Sequence, residues 1–267
     1  MEKIVTCPIC KNILEKSENS LKCKNNHCFD ISKENYVNLL NIKEKKSLSP
    51  GDNELMINAR QNFLNKNYYL PLAEKLVEII TKSNNNYVLE CGAGDGYYIS
   101  NINKAIQNNC YATDISKVAV KKCAKRNKNL NCFVASSYFL PFQDKSFDVV
   151  LVCFAPFCEQ EVFRVLKDDG LLLIVKPDKQ HLLELRQVLF GQNLEQEKNN
   201  YIYKQFNLIE IEKLKYNFFI DNNQDIQDLF QMTPYYYKSS NTAKERIKKL
   251  KNINLTSDFE ICLLKKK

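Results

Sequence analysis

The stretch Val88-Leu89-Glu90-Cys91-Gly92-Ala93-Gly94-Asp95-Gly96-Tyr97 restricts what this chain can fold into more than any other. An apolar run that ends in alternating glycines and passes straight into an amphipathic segment predicts a buried strand, a tight turn and a helix. Glycines make the turn possible because they reach backbone angles closed to other residues and let a ligand approach the main chain. Around this stretch, strands are expected over residues 87–91, 110–113, 130–135, 149–154 and 170–175, and helices over 97–107, 117–125 and 159–166. Alternation of this kind predicts an α/β fold in which helices cover both faces of a parallel sheet. Apolar spacing predicts two earlier helices, 53–64 and 72–80. Past Pro177 the pattern is less regular, with a helix over 181–190 and strands near 203–211 and 259–264.

The turn also carries chemistry. Glu90 stands just before it, the glycine spacing is G-x-G-x-G, and Asp114 closes the next strand. A carboxylate at that second place can accept hydrogen bonds from both ribose hydroxyls of an adenosine, which makes Asp114 a ribose anchor. Glu90 would then serve the amino-acid end of the ligand, through its ammonium group or water. With no pyrophosphate to cradle, the third glycine can come a residue early, so the cofactor expected over Gly92 and Gly94 is S-adenosyl-L-methionine. A nicotinamide or flavin nucleotide is the alternative for the loop alone. Asp114 and Ser116 are also both placed to cap the helix that follows.

Residues 1–40 hold too few apolar side chains for a core of their own and need a staple. Cys7, Cys10, Cys23 and His27 supply one, with the spacing C-x2-C-x12-C-x3-H. Three thiolates and an imidazole suit a tetrahedral Zn2+ ion, and a closed four-ligand shell implies a structural role. Cys28, beside His27, is the alternative fourth ligand. Residues 41–84, with the charged run Lys43–Lys46 and the turn Pro50-Gly51-Asp52, read as a linker and lead-in helices, and 85–267 as the catalytic domain.

Composition narrows the setting. The chain has 44% hydrophobic and 26% charged residues, and no apolar run reaches the eighteen or so residues of a membrane helix. Most of its eleven cysteines are scattered through apolar segments, as in a reducing compartment. The N-terminus has no room for a secretory signal before the cysteine motif begins. The expected location is cytoplasmic, with no membrane partner. The net charge is +8, and residues 238–267 carry nine Lys or Arg against three acids, which favours a polyanion such as RNA. A solvated helix face is the plainer reading of that segment.

With these residues in view, the chain resembles the ribosomal RNA guanine-N1 methyltransferases of the RlmA type over nearly its whole length. Besides the zinc pattern, matching blocks include Lys33-Glu34-Asn35-Tyr36-Val37-Asn38-Leu39-Leu40, Tyr68-Tyr69-Leu70-Pro71-Leu72, Asp114-Ile115-Ser116-Lys117-Val118-Ala119, His181-Leu182-Leu183-Glu184-Leu185 and Gln231-Met232-Thr233-Pro234. The resemblance implies a class I S-adenosylmethionine-dependent methyltransferase sheet, Rossmann-like, with a small N-terminal zinc-binding domain. It implies 23S rRNA as substrate and often a homodimer, and it marks Tyr69, Gly94, Asp95 and His181 as cofactor contacts. Glu90 departs from the family's more usual Asp, and Asp169 from its glycine.

Beyond the cofactor, Phe154-Ala155-Pro156-Phe157 stands where many amine-directed enzymes carry Asn or Asp before two prolines, which agrees with a ring-nitrogen target. Phe154 and Phe157 are candidates to stack on an extruded base, with core packing the alternative. Glu159 and Glu161 are candidate bases or helix-opening acids, and Tyr235-Tyr236-Tyr237 is an aromatic cluster that suits either an RNA surface or packing. Other classes remain: a methyltransferase of small molecules or proteins, and a zinc-dependent nucleic-acid-binding protein without activity.

Overall fold

The computed structural model describes residues 4–41, 51, 53–82, 86–107, 109–191 and 201–267. Lys43–Lys46, Pro50 and Asp52 of the expected linker lie outside the described residues. The N-terminal segment forms a three-stranded antiparallel sheet of β1 (Glu15–Ser17), β2 (Ser20–Lys22) and β3 (Cys28–Asp30). Strands of three residues offer little cross-strand packing, so this sheet depends on what else ties it down.

The large sheet has eight strands: β4 (Tyr36–Asn38), β5 (Tyr87–Cys91), β6 (Asn109–Asp114), β7 (Asn131–Val134), β8 (Phe147–Cys153), β9 (Leu166–Pro177), β10 (Phe206–Ile220) and β11 (Ile253–Lys266). Their spatial order is β10-β11-β9-β8-β5-β6-β7-β4. From β4 to β9 neighbours run parallel, and β11 and β10 are antiparallel additions at one edge. The parallel strands are near-continuous apolar runs because both of their faces are covered. Strand order reverses between β5 and β8, and such a switch point leaves a crevice at the carboxyl ends of the strands, where ligands bind.

Helices α1 (Glu54–Asn65), α2 (Leu70–Thr81), α3 (Tyr97–Ile106) and α4 (Lys117–Arg126) begin where the sequence predicts them, within a few residues. Asn53 caps α1 by accepting from the Met56 N–H, and Ser116 caps α4 by accepting from Ala119. The alternating side chains of the sheet feed a core on each face. Val88, Ala112, Val149 and Leu151 pack with α1 to α3, while Leu89, Tyr111, Phe133, Val150 and Val152 pack on the other side. That second core is completed by Val5, Leu14 and Leu21 of the N-terminal segment and by α5 (Glu159–Val165).

Three features depart from the sequence reading. The N-terminal segment does not stand apart: β4 pairs in parallel with β7, Val5 bridges Phe142, and the Thr6 N–H donates to the Pro141 carbonyl at 2.8 Å. The last two strands run far beyond their expected bounds, because β10 lies at the sheet edge. Its solvent face carries the charges of Lys213 and Lys215, which hide the strand signal. Between them, α7 (Asn223–Met232), α8 (Tyr235–Lys238) and α9 (Asn241–Lys249) follow α6 (Leu183–Phe190) in chain order and were not anticipated. The basic C-terminal stretch is consequently no single surface. Its middle is a buried strand, and Lys266 lies beside Asp168 at 3.6 Å, at the end of β11 remote from the residues that pair with Lys176 and Pro177.

Candidate cofactor cavity and zinc module

A cavity of about 770 Å³ opens at the carboxyl ends of β5, β6, β8 and β9. Its floor is the glycine turn. Gly92 has φ 71°, and a Cβ there would sit 2.5 Å from that of Ala155, so the residue is fixed by both backbone angle and space. At Gly96, with φ 76°, a Cβ would collide with the Cys123 side chain of α4. The turn is thereby pressed between the loop after β8 and α4, which holds the Gly94 N–H toward Asp114.

Asp114 accepts from Gly94 at 2.9 Å through Oδ2 and from the Ser116 N–H at 2.8 Å through Oδ1. Ser116, and not Asp114, is the helix cap, which leaves the carboxylate to the turn and the cavity. Asp95 is buried and ion-paired with Arg126, whose Nε also donates to the Asp95 carbonyl at 3.1 Å. Arg126 further caps the Tyr97 ring at 5.5 Å, so this arginine fastens the turn to the next helix.

Glu90 is fully buried. Its Oε2 accepts from the Ile99 N–H at 3.0 Å, while Oε1 has no N–H or O–H donor and the Cys153 thiol is the side chain beside the carboxyl. Burial, with Asp95 and Asp114 nearby, pushes its carboxyl up to about 8. A buried carboxyl with an unmet oxygen on a cavity wall suits a cationic group supplied by a ligand. The ammonium of S-adenosylmethionine is such a group, and Asp114 suits the ribose, so the donor set fits that cofactor.

Tyr69 opens α2 and is packed among Phe63, Phe218 and Phe259. His181 Nδ1 accepts from the Asp258 N–H at 3.3 Å, which leaves the ring proton on Nε2, 3.3 Å from the Tyr69 hydroxyl. Burial and Arg186 hold the imidazole down to about 3, so His181 is neutral. Tyr69, Glu90, Gly92, Gly94, Asp95, Asp114 and His181 all line this one cavity. Met232 to Tyr235 close its far wall, so only the first tyrosine of the cluster faces it. Tyr236 packs on Phe230, and Tyr237 is an exposed acceptor for Asn53 at 2.6 Å.

Neither acid after β8 lines the cavity. Glu159 accepts from the Gln205 N–H at 2.5 Å, and Glu161 accepts from the Leu140 N–H at 2.7 Å and pairs with Arg164 at 2.8 Å. Arg60 is a wall residue that sequence reading missed; its Nη1 lies 3.5 Å from where a Gly94 Cβ would be. A cation between Ile57 and Leu64 on the buried stripe of α1 was the available signal.

In the N-terminal module the ligand atoms of Cys7, Cys10, Cys23 and His27 lie within 4.8 Å of one another. The Cys10 and Cys23 sulfurs are 3.6 Å apart, and His27 Nδ1 is 3.4 Å from Cys7 and from Cys23. A tetrahedral ion with bonds of about 2.3 Å to sulfur and 2.0 Å to nitrogen requires ligand separations of roughly 3.5–3.8 Å. The arrangement therefore fits zinc. The Asn12 backbone and its side-chain amide, 3.1 Å from Cys10 Sγ, hold that thiol down to about 6. Cys28 is exposed on β3 and stands outside the cluster.

Comparison with known proteins agrees with this geometry. A family described as RlmA, N-terminal, matches residues 5–48, and one described as Methyltransferase domain matches residues 89–174. The chain is 31% identical over 189 residues to the "23S rRNA (guanine(748)-N(1))-methyltransferase" of Streptomyces fradiae, covering 68% of this chain and 66% of that one. A Bacillus subtilis (strain 168) protein named "Putative 23S rRNA (guanine-N(1)-)-methyltransferase YxjB" is 29% identical over 277 residues, covering 96% and 95%. A Micromonospora griseorubida relative, of the same name without the suffix, is 30% identical over 201 residues, covering 67% of each chain.

Proposed function

Since the chain belongs to the family of 23S rRNA guanine-N1 methyltransferases, we propose that it transfers a methyl group from S-adenosyl-L-methionine to N1 of a guanine in a large-subunit rRNA hairpin. The observation that carries this reading is the cavity at the strand-order reversal, where a buried, half-satisfied Glu90 and a turn-bound Asp114 face the same space.

When bound, the cofactor supplies an activated methyl group for in-line displacement. The chain's own residues do the holding. Asp114 would receive the ribose hydroxyls and Glu90 would meet the ammonium, with the Gly92–Gly94 backbone lining the same cavity. Arg126 keeps Asp95 and the turn from shifting. The Tyr69–His181 pair, neutral and packed among rings, forms a rigid wall that excludes water. Methylating N1 requires loss of the ring N–H, and among the described residues Glu159 and Glu161 are committed elsewhere. The reading assigns neither of them the proton.

In this reading, residues 1–40 carry the zinc module and end in β4, which joins the large sheet, 41–84 are the lead-in, and 85–267 hold the rest of the catalytic domain. The protein works in the cytoplasm on ribosomal RNA, as a homodimer. No helix among the described residues is long and apolar enough to cross a membrane. The test is transfer of labelled methyl to 23S rRNA from cells that lack the gene, followed by mapping of the labelled nucleotide. Label at a guanine ring nitrogen supports the proposal. Transfer only to a small molecule or protein, or none to any RNA, defeats it.

A further inference from the structure

Phe154 is the residue whose placement the cofactor cavity leaves unexplained. It follows directly on β8, at the strand-order reversal, and adopts φ 53°. A bulky side chain in the left-handed region is an outlier, and such outliers persist where surrounding structure forces them, often at functional sites. The forcing is visible: the Phe154 N–H donates to the Val175 carbonyl at 3.2 Å, and the next residue, Ala155, is pressed against Gly92. The ring is not driven there to fill the core. It is 44% exposed and lines the cavity, and Phe259 at 5.6 Å and Tyr98 at 6.4 Å between centroids pack against it in tilted contacts. Farther out, the wall continues through Phe157 to Tyr203, which accepts from Lys176 Nζ at 3.0 Å. The glycine turn with Glu90 and Asp114 lines the same cavity, and Ala155 ties it to Phe154 through its contact with Gly92.

We propose that Phe154 is the stacking platform for the acceptor base, holding the extruded guanine flat against the methyl-donor end of the cavity. The proposal rests on the rRNA methyltransferase reading above and names the residue that positions its substrate. A base removed from its helix loses its stacking partners, and an aromatic face backed by further rings replaces them. The left-handed backbone turns this ring out of the core and into the cavity, a direction that ordinary strand geometry after β8 would not give.

The experiment compares Phe154→Trp, Phe154→Leu and Phe154→Gly with the wild type in methyl transfer to unmodified 23S rRNA, alongside calorimetric binding of S-adenosylhomocysteine and thermal unfolding. Base–aromatic stacking of roughly 1–3 kcal/mol corresponds to about 5- to 150-fold in transfer at limiting RNA. F154L, which keeps apolar bulk but no flat face, and F154G, which relieves the backbone angle, should both lose transfer by that factor. Cofactor-product affinity should stay at the wild-type level in all three, and so should the melting midpoint of F154L and F154W. F154W should retain transfer. If F154L matches an active wild type, the ring is only packing and the inference is overturned, as it also is if F154L and F154W fall equally. A wild type inactive on every RNA would instead overturn the parent reading.

Discussion

The zinc module and the turn after β5 are both small and both shaped by a few residues, yet they are held by opposite means. The module has three-residue strands and takes its order from a cation shell, whereas the turn is clamped by packed neighbours: Ala155 beneath Gly92, Cys123 against Gly96, and Arg126 on Asp95. A ligand shell can assemble on a short chain with almost no core, since metal binding is itself folding free energy. A nucleotide-binding turn instead needs a finished sheet and helices before its amides and carboxylates converge. The two are not independent, because Val5 and Leu14 of the module complete the core behind Leu89 and Val150.

The sharpest way to break this contrast is to remove the metal. Structural zinc contributes an apparent ~10–16 kcal/mol to such modules. Chelation, or Cys10→Ala, should therefore abolish amide protection across residues 5–31. The amides of β5, β6 and β8 should remain protected in hydrogen exchange. Simultaneous loss everywhere would mean that module and sheet form one cooperative unit.

Next in size is the clamp itself. Gly92→Ala combines a left-handed backbone with a Cβ 2.5 Å from Ala155, and should cost about 2–4 kcal/mol of stability. At Gly94, where the nearest heavy atom to a new Cβ is Arg60 Nη1 at 3.5 Å, only the backbone term of about 1–2 kcal/mol applies. Denaturant melts of both variants check the order, and a Gly94 cost equal to that of Gly92 would contradict the clamp. The smallest effect belongs to Ser116→Ala, which removes the α4 cap and should cost about 1 kcal/mol. Because Asp114 does not cap this helix, the variant should retain cofactor affinity.

The same contrast governs how much could be read from the sequence. Cys7, Cys10, Cys23 and His27 are legible because ligand spacing is local, and Val88 to Tyr97 because strand, glycines and helix are contiguous. β4 was hidden since Tyr36–Asn38 is too short for a period, and its pairing with β7 is set by tertiary contact. β10 was foreshortened because an edge strand with charges on its open side loses the apolar run that marks β8. At the cavity, carboxylates beside glycines announce themselves. Tyr69 and His181 came only through resemblance, since the Tyr69–His181 contact spans 112 residues. Arg60 left one local trace, a cation on the buried stripe of α1, whereas the left-handed backbone that aims Phe154 is set by tertiary contacts that no local pattern encodes.

Glu90 offers the most direct test of the central claim, that this cavity is built for a cationic sulfur nucleoside. Its carboxyl titrates at about 8 when buried, against an ordinary 4.5. The ligand-free folded state thus retains a proton that the unfolded chain loses across that window. This stabilising contribution is full below pH 4.5 and is lost as pH rises toward 8. An ammonium brought beside Glu90 reverses the preference and ionises it. Calorimetry with S-adenosylmethionine at neutral pH, in buffers of differing ionisation enthalpy, should show binding coupled to proton release. In Glu90→Gln the binding should be weaker and the release absent. No heat of binding in the zinc-loaded wild type, or the same proton count in both proteins, would contradict the account.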